Sequence, residues 1–182
     1  MRYAGIVLAG GRARRLSGVD KPALVVDGTS LLAKAISALS GAERIVVVGP
    51  ERPGFGDVVW TREAEPGSGP VAALAAGLAE IPADAERVVV LAADLPGVRK
   101  STVDRLLAAL DTRDGAVLLD EAGERQWLLG AWQSGALRAA LPEKAENASL
   151  RRTLGGLEIA EVLARRGEAD DIDTPGDLER HS

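Results

Sequence analysis

The chain has 182 residues and a formal net charge of -5, enough length for one domain with its own core but too acidic for wholesale nucleic-acid binding. It contains no cysteine and a single histidine, His181, beside the C-terminus, so disulfides, thiolate zinc sites and histidine-based triads have no material. With 46% hydrophobic and 27% charged residues, no apolar run near the ~18 residues of a membrane span and no signal-peptide core, it reads as a soluble cytoplasmic domain over 1–182, its chemistry left to Asp, Glu, Lys, Arg and backbone.

Along the chain, "AGIVLAG", "RIVVVGP", "DVVWT", "RVVVLAAD" and "GAVLLDE" are short runs rich in Val, Ile and Leu. Most lack period-two alternation, which suits strands covered on both faces. Between them lie "SLLAKAISALSGA", "GPVAALAAGLAEI" and "STVDRLLAALD", with apolar positions three and four apart. Ser30 and Ser101 are expected N-caps, Gly41 a helix stop, and Pro70 a first-turn residue. Beyond residue 115, "AVLLDEAGERQWLLGAW" reads as two strands joined by a turn containing Gly123, followed by two short helices and the acidic tail "EADDIDTPGDLERHS". Strand and helix alternating at these lengths predict a Rossmann-like, three-layer α/β/α fold with a mainly parallel, mixed sheet.

The first strand ends in Gly10-Gly11, and residues 1–21 hold Arg2, Arg12, Arg14, Arg15 and Lys21 against Asp20 alone. Glycines let backbone N–H groups approach a ligand closely, and successive N–H groups make an anion-binding concavity. Arg12, Arg14, Arg15 and Lys21 can then neutralise phosphate charge. The alternative is a glycine turn whose arginines merely solvate the surface. A P-loop fails because Gly18 is followed by Val19-Asp20-Lys21, and a dinucleotide fingerprint fails at Gly10-Gly11-Arg12. Gly67-Ser68-Gly69-Pro70 before a helix imitates that fingerprint but is separated from its strand by "REAEP".

Asp94 follows "RVVVLAA" and precedes Leu95-Pro96, which puts a carboxylate at a strand end over the sheet edge. A hard cation such as Mg2+ takes oxygen ligands from one or two carboxylates plus substrate phosphates; the alternative is a capping or turn aspartate. In "DDIDTPGDL", Asp171 can face such a metal and Asp173 can cap the helix begun by Thr174-Pro175, or the whole segment is a solvated tail.

Leu8-Ala9-Gly10-Gly11 with Arg15, Gly18, Lys21 and Pro22 resembles the signature of the MobA-like nucleotidyltransferases, which share the nucleotide-diphospho-sugar transferase type of fold. "PGSGPVAALAAGL", "LAADLP" and "DIDTPGDL" are similar to that family's later motifs, in the same order, and "ARRLSGVDK" looks most like its guanylyltransferase branch. The resemblance implies nucleotide binding by the backbone at Leu8, Ala9, Gly10 and Gly11 and by the Lys21 side chain, with Asp94 on Mg2+. It also implies Mg-dependent transfer of a nucleoside monophosphate, GMP favoured over CMP, from GTP to the phosphate of a molybdopterin-type acceptor, with pyrophosphate leaving. Arg15, Lys21 and Asp94 then carry the catalysis, and Asp171 or Asp173 is the second metal ligand. The base falls near Val48-Gly49-Pro50 and Arg62-Glu63, where Glu63 can accept from guanine N1 and N2 or can be a surface charge. Relatives place a side-chain amide where Gly49 stands. Arg125, Arg151 and Arg152 can meet the acceptor's anionic groups or solvate a surface, and Trp127 and Trp132 read mainly as core. Expected partners are the two small molecules and, transiently, enzymes that make or receive the molybdenum cofactor; neither nucleic acid nor membrane is expected. A sugar-1-phosphate transferase on the same scaffold and a non-catalytic nucleotide-binding regulator are the rival readings.

Overall fold

The computed structural model describes residues 1–10 and 18–181. Among the described residues nine strands form in chain order: β1 (Ala4–Leu8), β2 (Val25–Val26), β3 (Thr29–Ser30), β4 (Ile45–Val48), β5 (Val59–Thr61), β6 (Arg87–Ala92), β7 (Gly115–Leu119), β8 (Arg125–Gln133) and β9 (Ile159–Leu163). Six helices accompany them: α1 (Leu31–Ala38), α2 (Pro70–Ala79), α3 (Lys100–Leu110), α4 (Ser134–Ala140), α5 (Leu150–Leu154) and α6 (Pro175–Arg180), with a 3-10 turn at Lys21–Ala23. Seven strands build one sheet in the order β5-β4-β1-β6-β8-β7-β9, while β2 and β3 form a separate antiparallel hairpin. All neighbours in the large sheet pair in parallel except at β8, which runs antiparallel to both β6 and β7. The predicted mixed, mainly parallel α/β/α architecture is therefore present.

The unpatterned apolar runs have the expected cause. In β1, Ala4, Ile6 and Leu8 join a core under α2, α4 and α5, whereas Val7, with Tyr3 and Ala9 just outside the strand, joins a second core under α1 and α3. Along β6, Val88 and Val90 face the first core and Val89 and Leu91 the second, joined by Ala93 just beyond the strand. Both faces are dry, so polar alternation has no place in these strands. Trp132 is completely buried on the α2 side, as its core reading required.

Several local expectations hold and others shift. Ser30 caps α1 by accepting from the Ala33 N–H, Pro70 opens α2, and Gly123 lies in the turn between β7 and β8. Ser101, however, lies inside α3: the helix begins at Lys100, and the Thr102 hydroxyl accepts from the Arg99 N–H instead. The α1 helix ends at Ala38, ahead of Gly41. The β2–β3 hairpin and β9 are additions that the sequence pattern did not display, because the hairpin strands have two residues each and β9 alternates only weakly.

Past β9 the chain returns across α3. Glu168, 6% exposed, accepts from the Thr102 hydroxyl at 2.7 Å, from Arg105 Nη1 at 2.7 and 2.8 Å and from the Arg165 N–H at 2.7 Å. Beside it, Gly97 touches Gly167 so closely that a Cβ at position 97 would lie 2.0 Å from the Gly167 carbonyl oxygen. Ile172 is fully buried with Val26 and Leu31, which contributes about 2 kcal/mol for a side chain of that size. These contacts carry the acidic tail back to the sheet edge.

The hydrogen bonds and the Arg105 charge hold the Glu168 carboxyl below its ordinary value, against the opposing effect of burial. Glu168→Gln is expected to lower unfolding free energy by about 2 kcal/mol near neutral pH. A folded-state depression stabilises above the unfolded value near 4.5 and is lost as pH falls through the folded one. Urea denaturation across pH should therefore show the parent–variant gap constant at pH 6–8 and narrowing below about 4.5.

Candidate active site at the sheet edge

Four parallel strands deliver their following residues to one edge of the sheet. Leu8 pairs with Val48 on one side and Ala92 on the other, and Val48 pairs with Thr61, so Gly10, Pro50, Glu63 and Asp94 all lie two residues beyond matched positions. From β1 the chain passes outward to β4 and β5, then back across β1 to β6. That reversal opens a crevice beyond the carboxyl ends of the strands, where open α/β sheets bind ligands. Here it is a cleft of about 1060 Å3 bordered by Leu8, Gly10, Lys21, Glu63, Gly69 and Asp94, among others.

Backbone bonds lock this edge before any side chain acts. The Ala9 N–H donates to the Val48 carbonyl at 2.8 Å, and the Leu8 carbonyl accepts from the Ala93 N–H at 3.1 Å. Gly49 lies against Ala9: a Cβ there would sit 2.9 Å from both the Ala9 carbonyl carbon and oxygen. The amide-bearing side chain of the resembling family thus has no room at position 49 with this backbone. Glu63 is half-buried in the cleft wall, and its Oε1 accepts from the Gly67 N–H at 3.3 Å. The Gly67-Ser68-Gly69 loop is no dinucleotide turn, yet Gly67 and Gly69 border the same cleft.

At the other end of the cleft, charge is concentrated. Lys21 Nζ lies 2.8 Å from Asp173 Oδ1 and 3.6 Å from Asp94 Oδ2. Asp94, Asp171 and Asp173 each offer an oxygen, and these oxygens lie within 4.8 Å of one another. Burial raises the Asp94 carboxyl above its usual value, and the Lys21 ammonium opposes that rise. Asp171 is exposed, yet partial burial and the neighbouring Asp173 and Asp94 charges raise it as well. Three carboxylates so close repel one another unless cations intervene. An all-oxygen donor set of this size suits a hard divalent ion, so these residues fit the Mg2+ expected from the sequence.

The tail supplies two of the three acids by an extended-chain device. Successive side chains alternate in direction, so Asp171 and Asp173 share one side while Ile172, between them, points into the core. The Ile172 N–H donates to the Asp94 carbonyl at 3.1 Å, joining the tail to the end of β6. Asp173 is not the helix cap expected for it. Thr174 is the N-cap of α6 and forms a capping box with Asp177, which leaves Asp173 to meet Lys21.

Other expected site residues lie elsewhere. Arg125 donates to Glu161 at 2.7 Å and stacks over Trp127 at 5.6 Å, and Arg151 is exposed on α5; neither borders the described cleft. Gly11, Arg12, Arg14 and Arg15 lie outside the described residues. Arg52, in the loop after β4, was not singled out from the sequence, because nothing local distinguishes it from a surface cation. Its guanidinium grips Asp20, immediately before Lys21.

Fold and site together define a protein of the nucleotide-diphospho-sugar transferase architecture, with its ligand cleft at the switch point of the sheet. The MobA-like NTP transferase domain matches residues 5–162, and the chain belongs to that family. A molybdenum cofactor guanylyltransferase of Bradyrhizobium sp. (strain ORS 278) is 34% identical over 137 residues, covering 70% of this chain and 65% of that protein. Another from Rhodobacter capsulatus is 38% identical over 116 residues, 60% of each. The chain thus spans less than two thirds of the length of these curated relatives. Among solved structures, the homologue of Mycobacterium tuberculosis rv0371c from Mycobacterium sp. strain JC1 superposes with a TM-score of 0.75 at 26% identity, covering 98% of this chain and 93% of that one.

Gly49→Ala is expected to cost about 2 kcal/mol, because backbone rather than a flexible side chain must yield to the added methyl. Chemical denaturation measures it, and a change under 0.5 kcal/mol would show that the edge relaxes freely.

Proposed function

We propose that the protein transfers a nucleoside monophosphate, GMP by preference, from a nucleoside triphosphate to the phosphate of a molybdopterin-type acceptor. The observation that carries this reading is the meeting of Lys21 with Asp94, Asp171 and Asp173 at one end of a cleft whose other wall holds Gly10 and Glu63. Membership of the MobA-like NTP transferase family supports it, as do relatives named molybdenum cofactor guanylyltransferase.

In that reaction an acceptor phosphate oxygen attacks the α-phosphorus. The new P–O bond forms as the α–β bridging bond breaks, and pyrophosphate leaves with the electron pair. The protein needs no covalent intermediate, so its work is positioning and charge stabilisation. Asp94, with Asp171 and Asp173, would hold a divalent cation, magnesium in this proposal, which when bound neutralises phosphate charge and polarises the α-phosphate. Lys21 places a fixed positive charge where negative charge gathers on the departing pyrophosphate. Arg15 is assigned the same task on sequence grounds. Glu63 is suited to accept from the N1–H and N2–H groups of guanine, which cytosine cannot offer in that arrangement. Its bond to the Gly67 N–H orients the carboxylate. Arg125 and Arg151 remain acceptor contacts on sequence grounds alone. The protein works on this reading as a single soluble domain in the cytoplasm, with neither nucleic acid nor membrane as partner and with transient contacts to enzymes that make or receive the cofactor.

Pyrophosphate release from GTP with molybdopterin-type acceptor tests the proposal. Asp94→Ala and Lys21→Ala should each lower turnover by roughly 100-fold or more, and rates within threefold of the parent would end the assignment. A thermal-shift panel of GTP, CTP, ATP and UTP with Mg2+ should favour GTP, the gain reaching about 2.7 kcal/mol at 100 times the dissociation constant. Stabilisation by CTP alone would transfer the reading to a cytidylyl enzyme. Tight GTP binding without pyrophosphate release would favour a regulator.

A further inference from the structure

An acid in the wall of a cleft that takes a polyphosphate needs an explanation, and Asp20 is such an acid. It immediately precedes Lys21, and its side chain makes no capping bond to the 3-10 turn that Lys21 begins. Arg52 holds it instead. Arg52 Nε donates to Asp20 Oδ2 at 3.0 Å, and Nη2 donates to Oδ1 at 2.5 Å. The remaining nitrogen, Nη1, donates to the Pro50 carbonyl at 3.2 Å. The forked, two-bond grip fixes direction as well as distance. The Arg52 side chain is 15% exposed, against 52% for Asp20, so the cation is largely packed away while the acid remains near solvent. A solvated ion pair of two mobile side chains contributes little, but a planar, bidentate pair with a third backbone contact is a different object.

We infer that Arg52 is a positioning residue for Lys21: it ties Asp20 to the loop after β4 and fixes the start of the Lys21–Ala23 turn. The chain reaches Lys21 one residue after the clamp, so the clamp sets where the lysine stem leaves the backbone. The far end of that stem meets Asp173 and Asp94. Arg52 is neutralised by Asp20 and does not itself serve the phosphates. This inference rests on the proposed polyphosphate reading of the cleft.

The test is a set of binding titrations with magnesium GTP, run on the parent, Arg52→Ala, Arg52→Lys, Lys21→Ala and the Arg52→Ala/Lys21→Ala double variant. Contacting residues that act through one another couple rather than add. Arg52→Ala should weaken binding about tenfold, and Arg52→Lys should fail to restore it, because an ammonium cannot make the forked grip. In the Lys21→Ala background the Arg52 substitution should change binding less than twofold. A purely structural role would lower the unfolding midpoint and weaken binding equally in both backgrounds, and that result would overturn the inference. Parent-like binding by Arg52→Ala would overturn it too. Should Arg52→Ala fail to fold, Asp20→Asn carries the same comparison, since it weakens the grip from the exposed partner. Absence of GTP binding by the parent would instead count against the proposed function. A loss confined to Lys21→Ala would spare that function and refute the clamp.

Discussion

The Lys21 ammonium holds together two parts of the chain that would otherwise repel or drift apart. Asp94 follows β6, the strand beside β1, by two residues, and Asp173 comes from the tail; their carboxylates, with that of Asp171, crowd a space of a few ångströms. Burial raises the Asp94 and Asp171 carboxyls above their usual values, and the neighbouring carboxylates add to that rise. A cation among them removes most of the conflict. Lys21 fills that role at 2.8 and 3.6 Å, across a sequence separation of 152 residues to Asp173. The same concentration of oxygen that needs a cation also makes the place attractive to a divalent ion and its phosphates.

Everything else in the fold serves to bring those groups to one edge. The parallel strands have matched register, so their ends arrive level, and the reversal of strand order at β1 leaves the gap between them. Gly49 permits the loop after β4 to lie directly on Ala9. On the far side, the Glu168 network and the contact of Gly97 with Gly167 turn the chain after β9 back toward Asp94. The family match ends at residue 162, while Asp171 and Asp173 lie beyond it. Two of the three acids therefore belong to a segment whose docking depends on Ile172 in the core and a backbone bond to Asp94.

The site was partly legible beforehand, for reasons that differ from residue to residue. Asp94 could be placed because an aspartate directly after six apolar residues has to emerge at a strand end. Lys21 could be tied to the glycine-rich loop by its nearness in sequence. For Asp173 the sequence left a helix cap and a metal ligand both open, because aspartate before Thr-Pro is a common cap, and the Thr174–Asp177 capping box frees it for Lys21. The alternation Asp171-Ile172-Asp173 did hold the signal: in an extended chain it sets two acids against one apolar anchor. Arg52 carried no such signal, since a guanidinium partner 32 residues distant leaves no local pattern.

By itself the amino-acid order determined the layered α/β/α arrangement, since runs apolar on both sides can only be strands covered twice, and segments with apolar residues three and four apart can only cover them from one face. It also determined which strand ends bear chemistry, because Gly10 and Asp94 follow those runs within two residues. Tertiary structure alone decided which distant charges meet: Lys21 with Asp173, Arg52 with Asp20, and Arg125 with Glu161. Those pairings depend on strand order and on where the tail docks, which the burial of side chains such as Ile172 and the Glu168 network set together.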